Sequence, residues 1–482
     1  MNKLKKINDF VWEVPKEHKK EMLVPARIFS SDRLINTLDE HVIEQITNVA
    51  TLPGIQKYAF AMPDAHSGYG FPIGGVAAMD SESGVISPGG IGFDINCGMR
   101  LVTTNLTIKD VKPKLKELVD ELFKRVPAGV GGAGFVKLNQ NEFKEITELG
   151  SKWFVEKGYG WEQDLERTEE NGLMKGANSE KISQMSIKRG MKQIGTLGSG
   201  NHYLEVQVVK KNNITDNKYA EKIGLFEDQV VIMFHCGSRG FGHQVASDYL
   251  KKFLSVMETK YKIKILDREL ACAPFQSEEG QDYFQAMKCA INMSFANRQT
   301  ILHRIRESFE KIMQKDSEKL GMSMIYDVAH NTAKLERHTI DNKTRELIVH
   351  RKGATRAFGP GHDEIPNIFK DIGQPVILGG SMETGSYLLA GTKEAHEQTF
   401  ASTAHGSGRT MSRTKAKRMF RGEDLQKDML KRGIYVKAVS FAGLAEEAGK
   451  AYKDIDDVVE ATVKSGISKK IVKLIPIGNV KG

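Results

Sequence analysis

The chain has 482 residues, 40% hydrophobic and 27% charged, enough to bury one large core or those of up to about three ordinary domains. It has no run of about 18 apolar residues, which excludes a membrane-spanning helix and a membrane partner, and its start, MNKLKKINDFVWEVPKEHKK, lacks the apolar stretch and cleavage site of a signal peptide. The net charge of +9 favours an anionic partner, nucleic acid first, and the four cysteines form no CxxC pair, so the chain reads as cytoplasmic with reduced thiols.

Taken in chain order, glycines gather at 68–75, 84–98, 129–134, 195–200, 237–242 and 379–408. Between them lie short β-branched runs such as VVIMF (230–234), MSMIYDVA (322–329) and QPVIL (374–378), which read as strands ending in glycine-bearing loops. VKPKLKELVDELFKRV (111–126) repeats its leucines and Val119 at the helical period, and 281–313 is a longer helical stretch with Phe284, Met287, Ile291 and Phe295. No linker or repeat divides the chain. The expectation is one large α/β domain over 1–482, with a helical insertion near 245–315.

SPGGIGFDINCGMR (87–100) places Asp94 and Cys97 three apart in a loop bracketed by glycines. A soft thiolate beside a hard carboxylate suits borderline ions such as Mn2+, Zn2+ or Co2+ better than Mg2+. His202 in GTLGSGNHYLEVQ (195–207), His235 in MFHCGSRG (233–240) and His330 in YDVAHN (326–331) each stand where a strand meets a loop. Any one of them alone reads better as a core or loop histidine; all three together with DxxC point to one metal centre. Cys236 adjoins His235, and only one of the two can face that centre. GSGN (198–201), GSRG (237–240) and HGSGR (405–409) offer backbone amides and arginines for phosphate, with Arg189 and Arg356 adding charge. His405 sits in the last of these turns, ahead of Arg409, Arg413 and further cations, and reads as a nucleophile toward phosphorus, a phosphate donor or a loop residue.

These motifs, with MPDAHSGYGFPIGG (62–75), ACAPFQSEEGQDYF (271–284), RKGATRA (351–357), GSMETGSY (380–387) and IGNVKG (477–482), resemble in the same order the RtcB family of GTP- and manganese-dependent RNA-splicing ligases. The resemblance implies an α+β fold of packed β-sheets with surrounding helices. It implies two Mn2+ ions bridged by Cys97 and completed by Asp94, His202, His235 and His330. It places GTP against Asn201, His202, Tyr203, Leu204, Glu205, His330, Asn331, Gly379, Gly380, Ser381, Met382 and Ser386, then His405, Gly406, Ser407, Gly408, Tyr452 and Lys481. Asp64 resembles the family carboxylate near the RNA ends, and Arg189, Arg239, Arg409 and Arg413 are expected to hold RNA or triphosphate as charge.

The implied reaction attaches GMP to His405, passes it to an RNA 3′-phosphate (itself from a 2′,3′-cyclic phosphate where needed), and seals that end to a 5′-hydroxyl. The implied partners are tRNA halves or other cleaved RNA and an archease-type activating protein. Rival readings are a 3′-phosphate capping or repair enzyme, a metal-dependent phosphodiesterase and a non-catalytic RNA-binding protein. Three departures from the family pattern stand out. Gly379 replaces a frequent proline and Glu383 a frequent glycine, implying a looser or recharged base pocket; Cys236 replaces a serine or threonine.

Overall fold

The computed structural model describes residues 4–482; the first three residues of the amino-terminal stretch lie outside the described residues. The β-branched run at 230–234 forms the strand Val230–Cys236, buried at every position, as a strand covered on both faces must be. It pairs antiparallel with Gly98–Val102 on one side and Tyr203–Ile214 on the other. Met324–Ala329 extends this sheet past Gly98–Val102. Lys469–Lys481, Ser386–Ala390 and Pro375–Leu378 extend it past Tyr203–Ile214, with Tyr435–Ala438 pairing parallel to Lys469–Lys481. A second sheet runs Lys5–Asn8, Val11–Val14, Ala26–Phe29, Ile55–His66, Ile73–Asp80, Lys343–Lys352, Asn331–Ile340. The expected mixed α/β class, with packed sheets and surrounding helices, is the one observed.

One of the chain's crossings between the two sheets is made at a single residue. Met324–Ala329 belongs to the first sheet and Asn331–Ile340 to the second, which leaves His330 as the joint. A shared core binds the two sheets, with Phe60, Met62 and Val349 from one packing against Val376, Leu378 and Leu389 from the other.

The amphipathic stretch at 111–126 contains the helix Leu115–Arg125, which buries Leu118, Val119 and Leu122. The stretch 245–315 holds most of Arg239–Thr259 and all of Glu278–Met313. The second of these helices buries polar residues as well as apolar ones, because it braces loops from several strands. Arg298 pairs with Asp327 (Nη2 to Oδ1, 2.8 Å) and donates from Nη1 to the carbonyls of Asn96 and Cys236. Asn297 accepts from the Gly195 and Thr196 amides and donates to Gly237 O. Among the described residues no helix is long and apolar enough to cross a membrane, and all four cysteines are free and buried.

Candidate active site

The ends of the central strands converge on one cluster. Asp94 and Cys97 sit in the loop before Gly98–Val102, and Asn96 between them takes a left-handed φ of 56°, which asparagine tolerates better than most residues. Cys97 Sγ lies 3.1 Å from His235 Nε2 and 3.3 Å from His202 Nε2. His235 Nε2 and His330 Nε2 stand 3.1 Å apart, and His202 Nε2 is 2.8 Å from Asp94 Oδ2. The donors form two groups, Cys97–His235–His330 and Asp94–Cys97–His202, which share the thiol. Cys236 points the opposite way, as strand alternation requires, with Asn297 donating toward its sulfur.

The protonation of this cluster suits a cation. Burial first, then His202 and His405, hold His235 well below the ordinary imidazole value; burial, then His405 and His235, do the same to His330. Both are therefore neutral and carry a lone pair. His202 Nδ1 faces Leu197 O at 2.9 Å and His235 Nδ1 faces Asn201 O at 3.1 Å. A carbonyl only accepts, so each Nδ1 carries the hydrogen and each Nε2 lone pair faces the cluster. Burial alone would raise the Asp94 carboxyl, but His202 and Arg239 keep it below the usual carboxylate range. Burial, then Asp94, push the Cys97 thiol up, so a thiolate there calls for a positive ion. Asp94 Oδ1 is buried without a hydrogen-bond partner among the described residues, a cost that an ion would remove. A Cβ on Gly237 would stand 2.4 Å from Asp94 Oδ1, so only glycine leaves that oxygen free. The residues present fit a borderline divalent ion.

Beside the cluster opens a cavity of ≈550 Å3, a size typical of ligand sites. The His405 turn forms one wall, and its ring centroid is 4.7 Å from that of His330. Asp64 lies fully buried beneath it. Its Oδ2 accepts from the His405 and Gly406 amides at 3.1 Å each and stands 2.6 Å from His405 Nδ1. Burial would raise this carboxyl, yet His405 and Lys453 draw it below its ordinary value, so it is ionised. Gly408 (φ 72°) permits the approach, because a Cβ there would come 2.0 Å from Asp64 O.

Met382, Tyr452 and Lys481 line the cavity as well. Lys481 Nζ lies 3.6 Å from Glu447 Oε2, and Tyr452 donates its hydroxyl hydrogen to the same carboxylate. Asn201, Tyr203, Gly379, Gly380, Ser381 and Ser407 also line the space. Other expected nucleotide residues lie behind that lining. Leu204 faces the opposite core, one strand position from Tyr203. Glu205 accepts from Asn479 Nδ2 and Gln207 Nε2 at 2.6 Å each, and burial pushes its carboxyl up to about 7. Ser386 Oγ accepts from the Gly380 amide, and Asn331 donates to Asp94 O and accepts from Gly353 N, so both shape loops. Glu383 clamps its loop instead of recharging the cavity: Oε2 accepts from the Gly449 amide (2.6 Å) and Oε1 from Arg432 (2.5 Å).

The arginines divide in the same way. Arg239 lies against Gly198, with Nη1 3.4 Å from His202 Nδ1, and Arg413, half-exposed, lies against Gly200. Arg189 is exposed and bonds Gln244. Arg409 is a wall residue, its donors taken by Met411 O, Glu446 O, Glu447 and Tyr452. His66, Glu447 and Lys453 also line the cavity; His66 stands in MPDAHSGYGFPIGG (62–75), whereas Glu447 and Lys453 stand in no glycine-and-charge motif that would mark them in the sequence.

Fold and site together define an α/β protein with a cluster of side chains able to hold a metal ion, opening onto a cavity. The family model described as tRNA-splicing ligase RtcB matches residues 45–482. Relatives named tRNA-splicing ligase RtcB are 53% identical in Archaeoglobus fulgidus over 479 residues, 52% in Thermococcus kodakarensis over 480 and 54% in Methanococcus maripaludis over 477, each covering 99% of both chains. The chain belongs to the RtcB family of tRNA-splicing ligases.

Proposed function

We propose that the protein joins RNA 3′-phosphate or 2′,3′-cyclic phosphate ends to 5′-hydroxyl ends through a guanylylated His405, using GTP and two Mn2+ ions. The observation that carries this reading is the Asp64 carboxylate 2.6 Å from His405 Nδ1, in a cavity that adjoins the donor cluster. A carboxylate there holds the imidazole proton on Nδ1 and leaves the Nε2 lone pair to attack. His405 Nε2 forms a bond to the α-phosphorus of GTP as the bond to pyrophosphate breaks. Asp64 stabilises the positive charge that develops on the ring. An oxygen of the RNA 3′-phosphate then takes the GMP group from His405, restoring the free imidazole. The 5′-hydroxyl attacks the activated 3′-phosphate, its proton leaves, and GMP departs. Where the end is cyclic, water opens it first.

Asp94, Cys97, His202, His235 and His330 would hold the metal, which supplies neutralisation of phosphate charge when bound. Tyr452, Met382 and Lys481 bound the space for the base, with Glu447 setting the lysine.

Incubation of the protein with GTP and Mn2+ should give a covalent adduct of one GMP, mapped to residue 405. His405→Ala should form none, yet should still seal RNA whose 3′ end is already guanylylated. An adduct on Lys481, or normal sealing from GTP by His405→Ala, would overturn this route.

A further inference from the structure

Strand Ile55–His66 loses its regular pairing where the site needs it. Its register with Ile73–Asp80 breaks between Ala61 and His66. Buried carbonyls in such a gap must find other donors. Lys453 Nζ donates to Pro63 O (3.1 Å) and to Ala65 O (2.6 Å), while His66 Nδ1 stands 3.1 Å from Asp64 O. The Lys453 amide donates to Gly408 O at 2.9 Å, so one residue ties the Asp64 strand to the His405 turn. Lys453 is 8% exposed and, among the described residues, forms no ion pair within 4 Å. Burial draws its ammonium down to about 8, with Asp64 opposing. An ammonium kept in so unfavourable a place is set there by its contacts.

We infer that Lys453 is a positioning residue for nucleotidyl transfer: by gripping the carbonyls on either side of Asp64 and the backbone of Gly408, it keeps the Asp64 carboxylate against Nδ1 of His405. The inference rests on the reading that His405 accepts the nucleotide. Without the ammonium, the Pro63 and Ala65 carbonyls lose their donor, the 63–65 segment shifts, and the imidazole loses its fixed tautomer. Lys453 touches neither nitrogen of His405; it acts through Asp64.

The test uses the full chain with Lys453→Met, the milder Lys453→Gln, Asp64→Asn and the Lys453→Met/Asp64→Asn double variant. Adduct formation with GTP and Mn2+ should slow about 100-fold in Lys453→Met, with the apparent KM for GTP within about threefold of the unsubstituted protein. Lys453→Gln, which keeps one donor, should fall between the two. The double variant should be no slower than Asp64→Asn alone, because both changes break one unit. Both Lys453 variants should lose clearly less of the sealing of RNA with a pre-guanylylated 3′ end than of adduct formation, because sealing uses the same cavity but not the nucleophile. A normal adduct rate in Lys453→Met, a double-variant loss equal to the product of the single losses, or an equal loss of pre-guanylylated sealing would overturn the inference. If the unsubstituted protein forms no adduct on His405, the nucleotidyl-transfer reading itself fails, and that is read without any variant.

Discussion

Cys97 belongs to both donor groups, so its removal acts on both at once. Cys97→Ala should lose most bound metal, measured by elemental analysis of the purified protein, and ligation should fall by at least about 100-fold. Mn2+ should support activity better than Mg2+, which prefers oxygen ligands and keeps its waters. Full activity with Mg2+ alone, or a Cys97→Ala protein that keeps its metal, would remove the thiolate from the centre. The five donors were legible in the sequence because each is a strong ligand type placed where a strand meets a glycine loop. Lys453 was not. An ordinary lysine gives no local sign that its partners are carbonyls some 390 positions away. Arg409 stands in a phosphate-like turn, and its guanidinium is occupied by neighbours that only the fold brings near.

The helix Glu278–Met313 is held to the site by its polar face. Arg298 and Asp327 are both fully buried, and the same guanidinium fixes the carbonyls beside Cys97 and His235. Breaking a buried pair by removing one partner costs about 3–5 kcal/mol, because the remaining charge is left uncompensated. Arg100 Nε also stands 2.5 Å from Asp327 Oδ2, so Asp327 keeps one buried partner; Arg298→Met should destabilise the protein by less than that amount in urea unfolding, and should weaken metal binding in titration of the same variant. A stability change near zero would mean that the pair contributes nothing net. The apolar positions of this helix could be read from the sequence at 281–313. Its bracing role could not, since Asn297 and Arg298 look like solvent-facing residues until the loops they hold are in place. Strand alternation turns Leu204 away from the cavity that Tyr203 lines, while Glu205, on the same face as Tyr203, is held behind that lining by Asn479 and Gln207.

For the molecule as a whole, three arginines are the candidates for holding RNA as charge. Arg239 and Arg413 flank the 198–201 turn, and Arg189 stands exposed on the helix Gln184–Gly190. RNA affinity should fall with rising salt whatever the RNA sequence, and Arg413→Ala should flatten the log–log slope by about one, measured by filter binding over a salt series. An unchanged slope would leave Arg413 a solvated surface charge. The α/β class was legible from glycine-bordered β-branched runs. The order of the strands was not, because Val480 pairs with Leu204 across most of the chain and no local pattern encodes such a partner. His330, the joint between the sheets, carries this furthest. Asp94, Cys97 and His202 meet once the strands Gly98–Val102, Val230–Cys236 and Tyr203–Ile214 have paired, whereas the Cys97–His235–His330 group is complete only after the chain has passed through His330. Completion of that second group thus falls late in folding, a slow event in a topology of such distant pairings, and refolded protein should hold its full complement of manganese only after it reaches its native signal.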